Sequence, residues 1–379
     1  MASSVFAEPI KVGMSLALSG ASADLGKSMY RASKKYFDHI NKQGGINGQL
    51  IEIIAYDDAY DPRKCVQNTI RLVEDDQVDL LYGYVGTPTV TRMLPLLKHY
   101  RDRNLYLFFP FTGAGPQRTP PYDDYVFNLR ASYLQETGGL VKNFLSIGRN
   151  RVAVFFQNDG YGKTGWVGVY DELKKHNLEI VSEATYKRGE SYNASYKRQV
   201  ELILEGEPDA IVCIGSYQAC AGFIRDLRRE GDSSLVANIS FVGVESLLEI
   251  LQNESQHSSI DFTQNLVSSM TVPIKDHSVR ATKDFYWLMG YTSDQQFNAI
   301  EFEAFLNARF LVHILRRIEG EFDSSKILTA AHQINDYDLG IGIPITLNES
   351  QHQALNQVYY ITAKNGHFEP LKDWSVWKK

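Results

Sequence analysis

Apolar positions along the chain fall into two alternating patterns. Short β-branched or aromatic runs read as strands, and stretches with apolar residues every three or four positions read as helices. "IKVGMSLAL" predicts a first strand, and "SMYRASKKYFDHIN" predicts a helix with Met29, Ala32, Tyr36, Phe37 and Ile40 on one face. Gly44 and Gly45 stop that helix. "LIEIIAY", a helix from Pro62 to about Asp75, "VDLLYGYV", a helix from about Thr89, and "LYLFFPF" follow. Asp61 before Pro62 reads as an N-cap with proline at the first helical position. Such a β-α-β series is the signature of a parallel sheet covered by helices.

The series then starts again. "RVAVFF" leads into a helix over about 163–176, then come "LEIVSEATY", a helix around 196–204, "DAIVCIG", a helix over about 219–230, and "SFVGV". Beyond these lie "NLVSSMTVP", a long helix at about 299–318, a second near 324–333, and the hairpin "QVYYITAKNGHFEPL" turning at Asn365-Gly366. Two sets of four strands in the same order predict two similar α/β lobes. Open α/β sheets bind ligands at the carboxyl ends of their strands. Two such lobes facing each other would line one cleft with the loops after "SLAL", "YGYV", "FFPF", "VAVFF", "VCIG" and "FVGV".

Composition narrows the function. With 379 residues, 44% of them hydrophobic, the chain has material for two cores. A formal net charge of -6 argues against a nucleic-acid partner, which selects for a basic face. No apolar run approaches the roughly 20 residues that span a bilayer, so direct membrane insertion is not expected. Residues 1–7 of "MASSVFAEPIKVG" place Val5 and Ala7 as the end of a cleaved export signal would, which predicts a chain working outside the cytoplasm. Cys65, Cys213 and Cys220 are too few for a disulfide scaffold, and Cys213 reads as core. The nine histidines lack metal-ligand spacing, and "DDAYD" lacks the glycine and distal glutamate of a calcium loop. Neither a metal nor a cofactor is expected.

The stretch "FFQNDGYGKTG" invites a phosphate-loop reading. Gly162, Lys163 and Thr164 match the end of that motif, but Gln157 stands where its first glycine belongs. A dinucleotide-binding glycine pattern and G-x-S-x-G are also missing. No catalytic constellation is seen and no enzyme is expected; Lys163 reads as a solvated helix start and Tyr161 as the loop tip.

The ordered set "LSGASADLG", "INKQGGINGQLIEII", "DDAYDP", "YVGT", "VFNLRASY", "NDGYGKTG", "VGVES", "NAIEFEAFLNARFLVHIL", "DLGIGIPITLNESQHQ" and "VYYITAKNGHFEPL" covers nearly the whole chain. It closely resembles the leucine/isoleucine/valine-binding family of type I periplasmic binding proteins. The resemblance implies an α/β fold of two Rossmann-like, doubly wound lobes joined by a three-strand hinge, with crossings near 129–132, 264–272 and 338–344. The first lobe is then 8–130 with 270–340, and the second is 131–269 with 341–379. It also implies a monomeric, periplasmic or extracellular protein that captures a small amino-acid-like or amide ligand and hands it to an ABC transporter permease. The same module serves receptors as a ligand-sensing domain.

Family position supplies the candidate ligand-binding residues. In the first wall these are Thr87 after the third strand, and Phe111, Thr112 and Gly113 after the fourth, donors suited to a ligand carboxylate. In the second they are Tyr161, Tyr217 and Glu245, the acid facing a ligand ammonium. Plainer readings stand beside these: Thr87 as a helix cap, Tyr161 and Tyr217 as packing, Glu245 as a dipole-favoured acid. Tyr133 is expected near the first crossing and Phe297 near the hinge. Where the branched-chain binders carry alanine-serine-threonine, this chain has "FPFTGAGPQR", bringing Phe111 and Arg118 toward the site. That aromatic density opens a second reading, a planar aromatic ligand held between rings.

Overall fold

The computed structural model describes residues 8–364 and 366–379. The export-signal reading of 1–7 and the Asn365 half of the hairpin turn lie outside the described residues. In chain order the elements are β1 (Ile10–Leu16), α1 (Ala23–Lys42), β2 (Ile51–Asp57), α2 (Pro62–Glu74), β3 (Leu80–Tyr82), α3 (Thr87–His99), β4 (Leu107–Phe108) and β5 (Val126–Phe127). Next come α4 (Tyr133–Ser146), β6 (Val152–Gln157), α5 (Gly160–Lys175), β7 (Ile180–Tyr186), α6 (Lys197–Leu204), β8 (Ala210–Ile214), α7 (Tyr217–Arg229), β9 (Leu235–Asn238), α8 (Val244–Gln256) and β10 (Leu266–Met270). The remainder is α9 (Arg280–Met289), α10 (Ala299–Leu315), α11 (Ile327–His332), β11 (Tyr337–Asp338), β12 (Pro344–Ile345), β13 (Tyr359–Lys364) and β14 (His367–Pro370). Among the described residues no helix is long and apolar enough to cross a membrane.

The chain divides into two compact units. The first comprises residues up to Thr112 together with Pro116–Arg130 and Asp276–Leu355. Its sheet is parallel, in the order β2-β1-β3-β4-β5. On α1 the predicted face holds: Met29, Ala32, Phe37 and Ile40 are buried, and the Tyr36 ring packs edge-on against Phe305. Asp61 caps α2 by accepting from the Arg63 amide, with Pro62 opening the helix. α10 is buried nearly all round and runs through the core, where Phe310 stacks on Phe109.

The second unit comprises Gly113–Gly115, Ala131–Lys275 and Asn356–Lys379. Its sheet runs β14-β13-β10-β9-β8-β6-β7, with β13 and β14 antiparallel and the rest parallel. The parallel part, β7-β6-β8-β9-β10, repeats the order of the first sheet. In each lobe the first strand lies between the second and third, which is the switch point where such sheets take ligands. The core centres on Phe155, stacked on Phe223 with ring centroids 4.2 Å apart.

The units differ from the expected boundaries. Residues 341–355, expected in the second lobe, belong to the first. The Asn128 amide donates to the His352 carbonyl (2.7 Å), Ala354 donates back to Asn128 (2.8 Å), and Leu355 donates to Leu129 (2.9 Å), so this strap extends the sheet beside β5. His352 locks it further. Its ring stacks on Phe127 at 4.2 Å, its Nδ1 faces the Asp123 carbonyl at 2.7 Å, and its Nε2 meets Nε2 of His332 at 2.7 Å. Residues 270–275 stay with the second lobe, because Met270 pairs with Tyr359 in the sheet.

Two predicted strands also change. "LYLFFPF" yields only Leu107–Phe108, since Phe109 takes a left-handed φ of 52° and breaks the ladder. "SFVGV" is a turn and not a strand. The strand is Leu235–Asn238, followed by a tight helical turn Ser240–Val242 and Gly243 at φ 85°.

Candidate functional site

In both lobes the candidate residues stand where strands end and helices begin. In the first, the loop after β3 ends at Gly86, whose φ of 104° no side chain adopts easily, and α3 starts at Thr87. Gly86 occupies the cap position, so Thr87 is not a cap. Its hydroxyl instead meets that of Thr112 at 2.6 Å, both residues being buried. The backbone of Phe111 donates to Tyr84 (2.7 Å) and its carbonyl accepts from Gly86 (3.1 Å), fixing the loop after β4 against the loop after β3.

A cationic layer backs these residues. The Arg130 guanidinium lies 4.4 Å from the centroid of the Phe111 ring and pairs with Glu303 of α10 at 3.4 Å, although Arg130 is only 1% exposed. Arg118 donates to the Thr112 carbonyl (3.2 Å), to the Arg130 carbonyl (3.2 Å) and to Gln353 (2.7 Å). It therefore ties the 112 loop to the strap.

The second lobe gathers an aromatic group. Ser132 and Gln135 form a capping box that starts α4 at Tyr133. The Tyr133 amide donates to the Gly113 carbonyl at 2.8 Å. A Cβ on Gly113 would lie 2.6 Å from the Tyr133 ring, so only glycine permits this approach. The Tyr133 ring sits 5.2 Å from Tyr161, and Tyr161 sits 4.8 Å from Phe241. Asp159 caps α5 through the Tyr161 amide, and the Tyr161 hydroxyl donates to the Gly215 carbonyl at 3.2 Å. Tyr217 opens α7 behind its cap Ser216. Glu245 is the second residue of α8, behind the left-handed Gly243, where the helix N-terminus favours a carboxylate.

The lobe-two candidates Tyr161, Tyr217 and Glu245 thus follow β6, β8 and β9 in turn, each in the first turn of a helix. Phe297 is not among either group. It belongs to the first unit and packs against Phe285, Tyr286 and Phe302, in the core beside α9 and well away in sequence from the crossing at 275–276. Sequence reasoning missed Phe241, which was read as a strand residue, and the Arg130–Glu303 pair, whose partners lie far apart in the chain. The one signal for the latter was Glu303, the second of two acids set among the apolar residues of α10.

The tempting "GYGKTG" stretch is a helix start. Gln157 donates to Asp159 (2.7 Å) and accepts from Tyr186 (3.0 Å), while exposed Lys163 holds its ammonium 3.6 Å from the Trp166 ring centroid. All three cysteines are buried free thiols. Among the described residues no cluster of His, Cys, Asp and Glu is suited to a metal ion.

Two α/β lobes of matching strand order, each presenting polar and aromatic groups at its strand ends, define a ligand-binding scaffold of the two-lobed type. A family model described as periplasmic binding protein matches residues 9–367, and the chain belongs to that family. The chain is 29% identical over 178 residues to the Leu/Ile/Val-binding protein of Escherichia coli K12, which spans 46% of this chain and 47% of that one. It thus spans about half the length of the curated relatives it matches. Among solved structures, a possible leucine/isoleucine/valine-binding protein from Rhodopirellula baltica superposes with a TM-score of 0.89 at 28% identity, covering 99% of both chains. A substrate-binding periplasmic protein from Ralstonia solanacearum gives 0.83 at 26% identity, covering 93% of this chain and 97% of that one.

Proposed function

We propose that the protein is an extracytoplasmic solute-binding protein that captures an amino-acid-like ligand and delivers it to an ABC importer, without turnover. In this reading the ligand carboxylate meets the hydroxyls of Thr87 and Thr112 and the backbone around Phe111 to Gly113. The ammonium meets Glu245, and Tyr133, Tyr161, Tyr217 and Phe241 enclose the side chain. The observation that carries the reading is the placement of Glu245 in the first turn of α8, on the same lobe as the aromatic group. The names of the relatives, which bind leucine, isoleucine and valine, point to the same ligand class.

The ring density favours a larger side chain than leucine. Flat rings pack best against offset or edge-on partners, and three rings already stand within such range of one another. A neutral planar ligand is the second reading. A thermal-shift screen of L-valine, L-leucine, L-phenylalanine, its deaminated analogue 3-phenylpropanoate, acetamide and benzamide separates them, since a ligand binding only the folded state raises the melting temperature by mass action. Stabilisation by an α-amino acid and not by its deaminated analogue supports the proposal. Stabilisation by benzamide or acetamide alone replaces it with the second reading, and no shift with any compound removes both.

A further inference from the structure

The buried Glu136 has no part in the ligand contacts proposed above. It lies in the first turn of α4 and is fully buried. Its carboxylate accepts three hydrogen bonds: from the Ser240 amide (2.9 Å), from the Ser240 hydroxyl (2.9 Å) and from the Ser269 hydroxyl (2.7 Å). Ser269 belongs to β10, and Ser240 opens the turn Ser240–Val242. That turn carries Phe241, ends in the left-handed Gly243, and leads within two residues to Glu245. The helix that holds Glu136 also holds Tyr133, whose ring lies 6.2 Å from Phe241.

We infer that Glu136 is a positioning residue for the candidate site: its carboxylate clamps the 240–243 turn to α4 and β10, and so fixes the aim of Phe241 and Glu245. The inference rests on the proposed site, but the clamp can be tested without a ligand. A carboxylate suits the task because it only accepts and has about four lone-pair positions, enough for three donors arriving from two elements. Bonds from two elements converge on this one side chain, so the turn is held more stiffly than its short backbone would hold itself. The turn needs such a hold. It follows a strand of only four residues, and a left-handed glycine can pivot.

The test compares Glu136→Ala with Glu136→Gln. The amide keeps one acceptor oxygen for the Ser240 amide and the Ser269 hydroxyl, and its nitrogen can donate to the Ser240 oxygen. Hydrogen exchange on the unliganded protein is the first readout. In Glu136→Ala, amides of 239–246 should exchange about tenfold faster or more, with those of β6 and β8 unchanged. Calorimetry with L-valine is the second: affinity should fall about tenfold or more in Glu136→Ala and return to within about threefold of the parent in Glu136→Gln. Should Glu136→Ala not fold, Ser240→Ala and Ser269→Ala each remove part of the clamp and carry the same test. Unchanged exchange at 239–246 overturns the inference. So does faster exchange spread evenly through β6 and β8, which marks a purely structural role, and so does a loosened turn with parental affinity. If the parent itself binds no L-valine, the functional reading fails on that compound and exchange alone decides the clamp.

Discussion

Asp58 gives the sharpest pH-dependent prediction. It follows β2 and is fully buried. One carboxyl oxygen accepts from the Ser15 hydroxyl at 2.7 Å, and the other from the Tyr60 amide at 2.8 Å. Burial pushes its pKa up to about 6 from an ordinary 3.8, against the lowering effect of those two bonds and with help from the charges of Asp57 and Asp61. A carboxyl raised in the fold prefers its proton there. Its stabilising contribution is therefore fully present below pH 3.8 and is lost as pH rises through about 6. The gap is worth about 3 kcal/mol, at about 1.4 kcal/mol per pH unit. Asp58→Asn stays neutral throughout and can still bond both Ser15 and Tyr60. The stability of the variant minus that of the parent should therefore grow by about 2.5 kcal/mol between pH 4 and pH 8, since at pH 4 the unfolded carboxyl is already partly ionised. Urea unfolding followed by circular dichroism across that range measures the difference. A difference that stays flat from pH 4 to pH 8 refutes the reasoning, because the parent carboxyl would then titrate normally.

Other outcomes follow from the site and the strap. Glu245→Gln should weaken an amine-bearing ligand about a hundredfold or more, as losing one partner of a buried charge pair costs roughly 3–5 kcal/mol, whereas Tyr217→Phe should cost about 1 kcal/mol; calorimetry with the amino acid found by screening decides. Parental affinity in Glu245→Gln would remove the ammonium assignment. Gly113→Ala should destabilise the protein by about 1–3 kcal/mol, read as a lower melting temperature, because the new methyl meets the Tyr133 ring and backbone. Burial, and for His332 the charge of His352, holds both imidazoles below 6.5. Their contribution is present above that value and is lost as pH falls through the lowered pKa values, so the melting temperature should drop on acidification from pH 7. His332→Gln, which keeps a donor for His352 with one fewer titrating ring, should drop less. An equal acid-side loss in that variant would show that the pair is not responsible.

The fold was largely readable because most strands are continuous apolar runs and most helices carry clean caps or glycine stops. Asp61-Pro62 and Gly44-Gly45 marked helix ends by chemistry that acts locally. The misreadings came where local apolarity and backbone geometry disagree. Phe241, Val242 and Val244 look like strand residues, yet Gly243 takes a conformation that no strand uses. "LYLFFPF" looks like seven strand residues, yet Phe109 turns left-handed after two of them are paired. The last crossing was expected over 338–344, within "DLGIGIP", from the resemblance alone. The strap that carries the chain on to Leu355 is held by backbone bonds, which leave no side-chain pattern. Within the candidate site, residues at strand ends could be listed from topology and resemblance. The supports behind them, Arg130 with Glu303 and Glu136 with two serines, join positions more than a hundred residues apart, and no single-sequence pattern encodes such pairings.

The first lobe is assembled from separated pieces of chain, and this sets the order in which the protein can fold. β1 to β5 are complete by residue 127, but α10, which fills the core beside α1, is not made until residue 315, and the strap beside β5 not until residue 355. At about 5–20 residues per second, the early strands wait on the order of ten to forty seconds for their covering helix. The second lobe has nearly all of its core in one unbroken stretch from residue 131 to 275, and lacks only the β13–β14 edge. It can therefore condense first, while the first lobe stays open to chaperones. The long closure between α1 and α10 is then the late, slow step, so substitutions in their contact, such as Phe305 against Tyr36, should act on refolding rate as well as on stability.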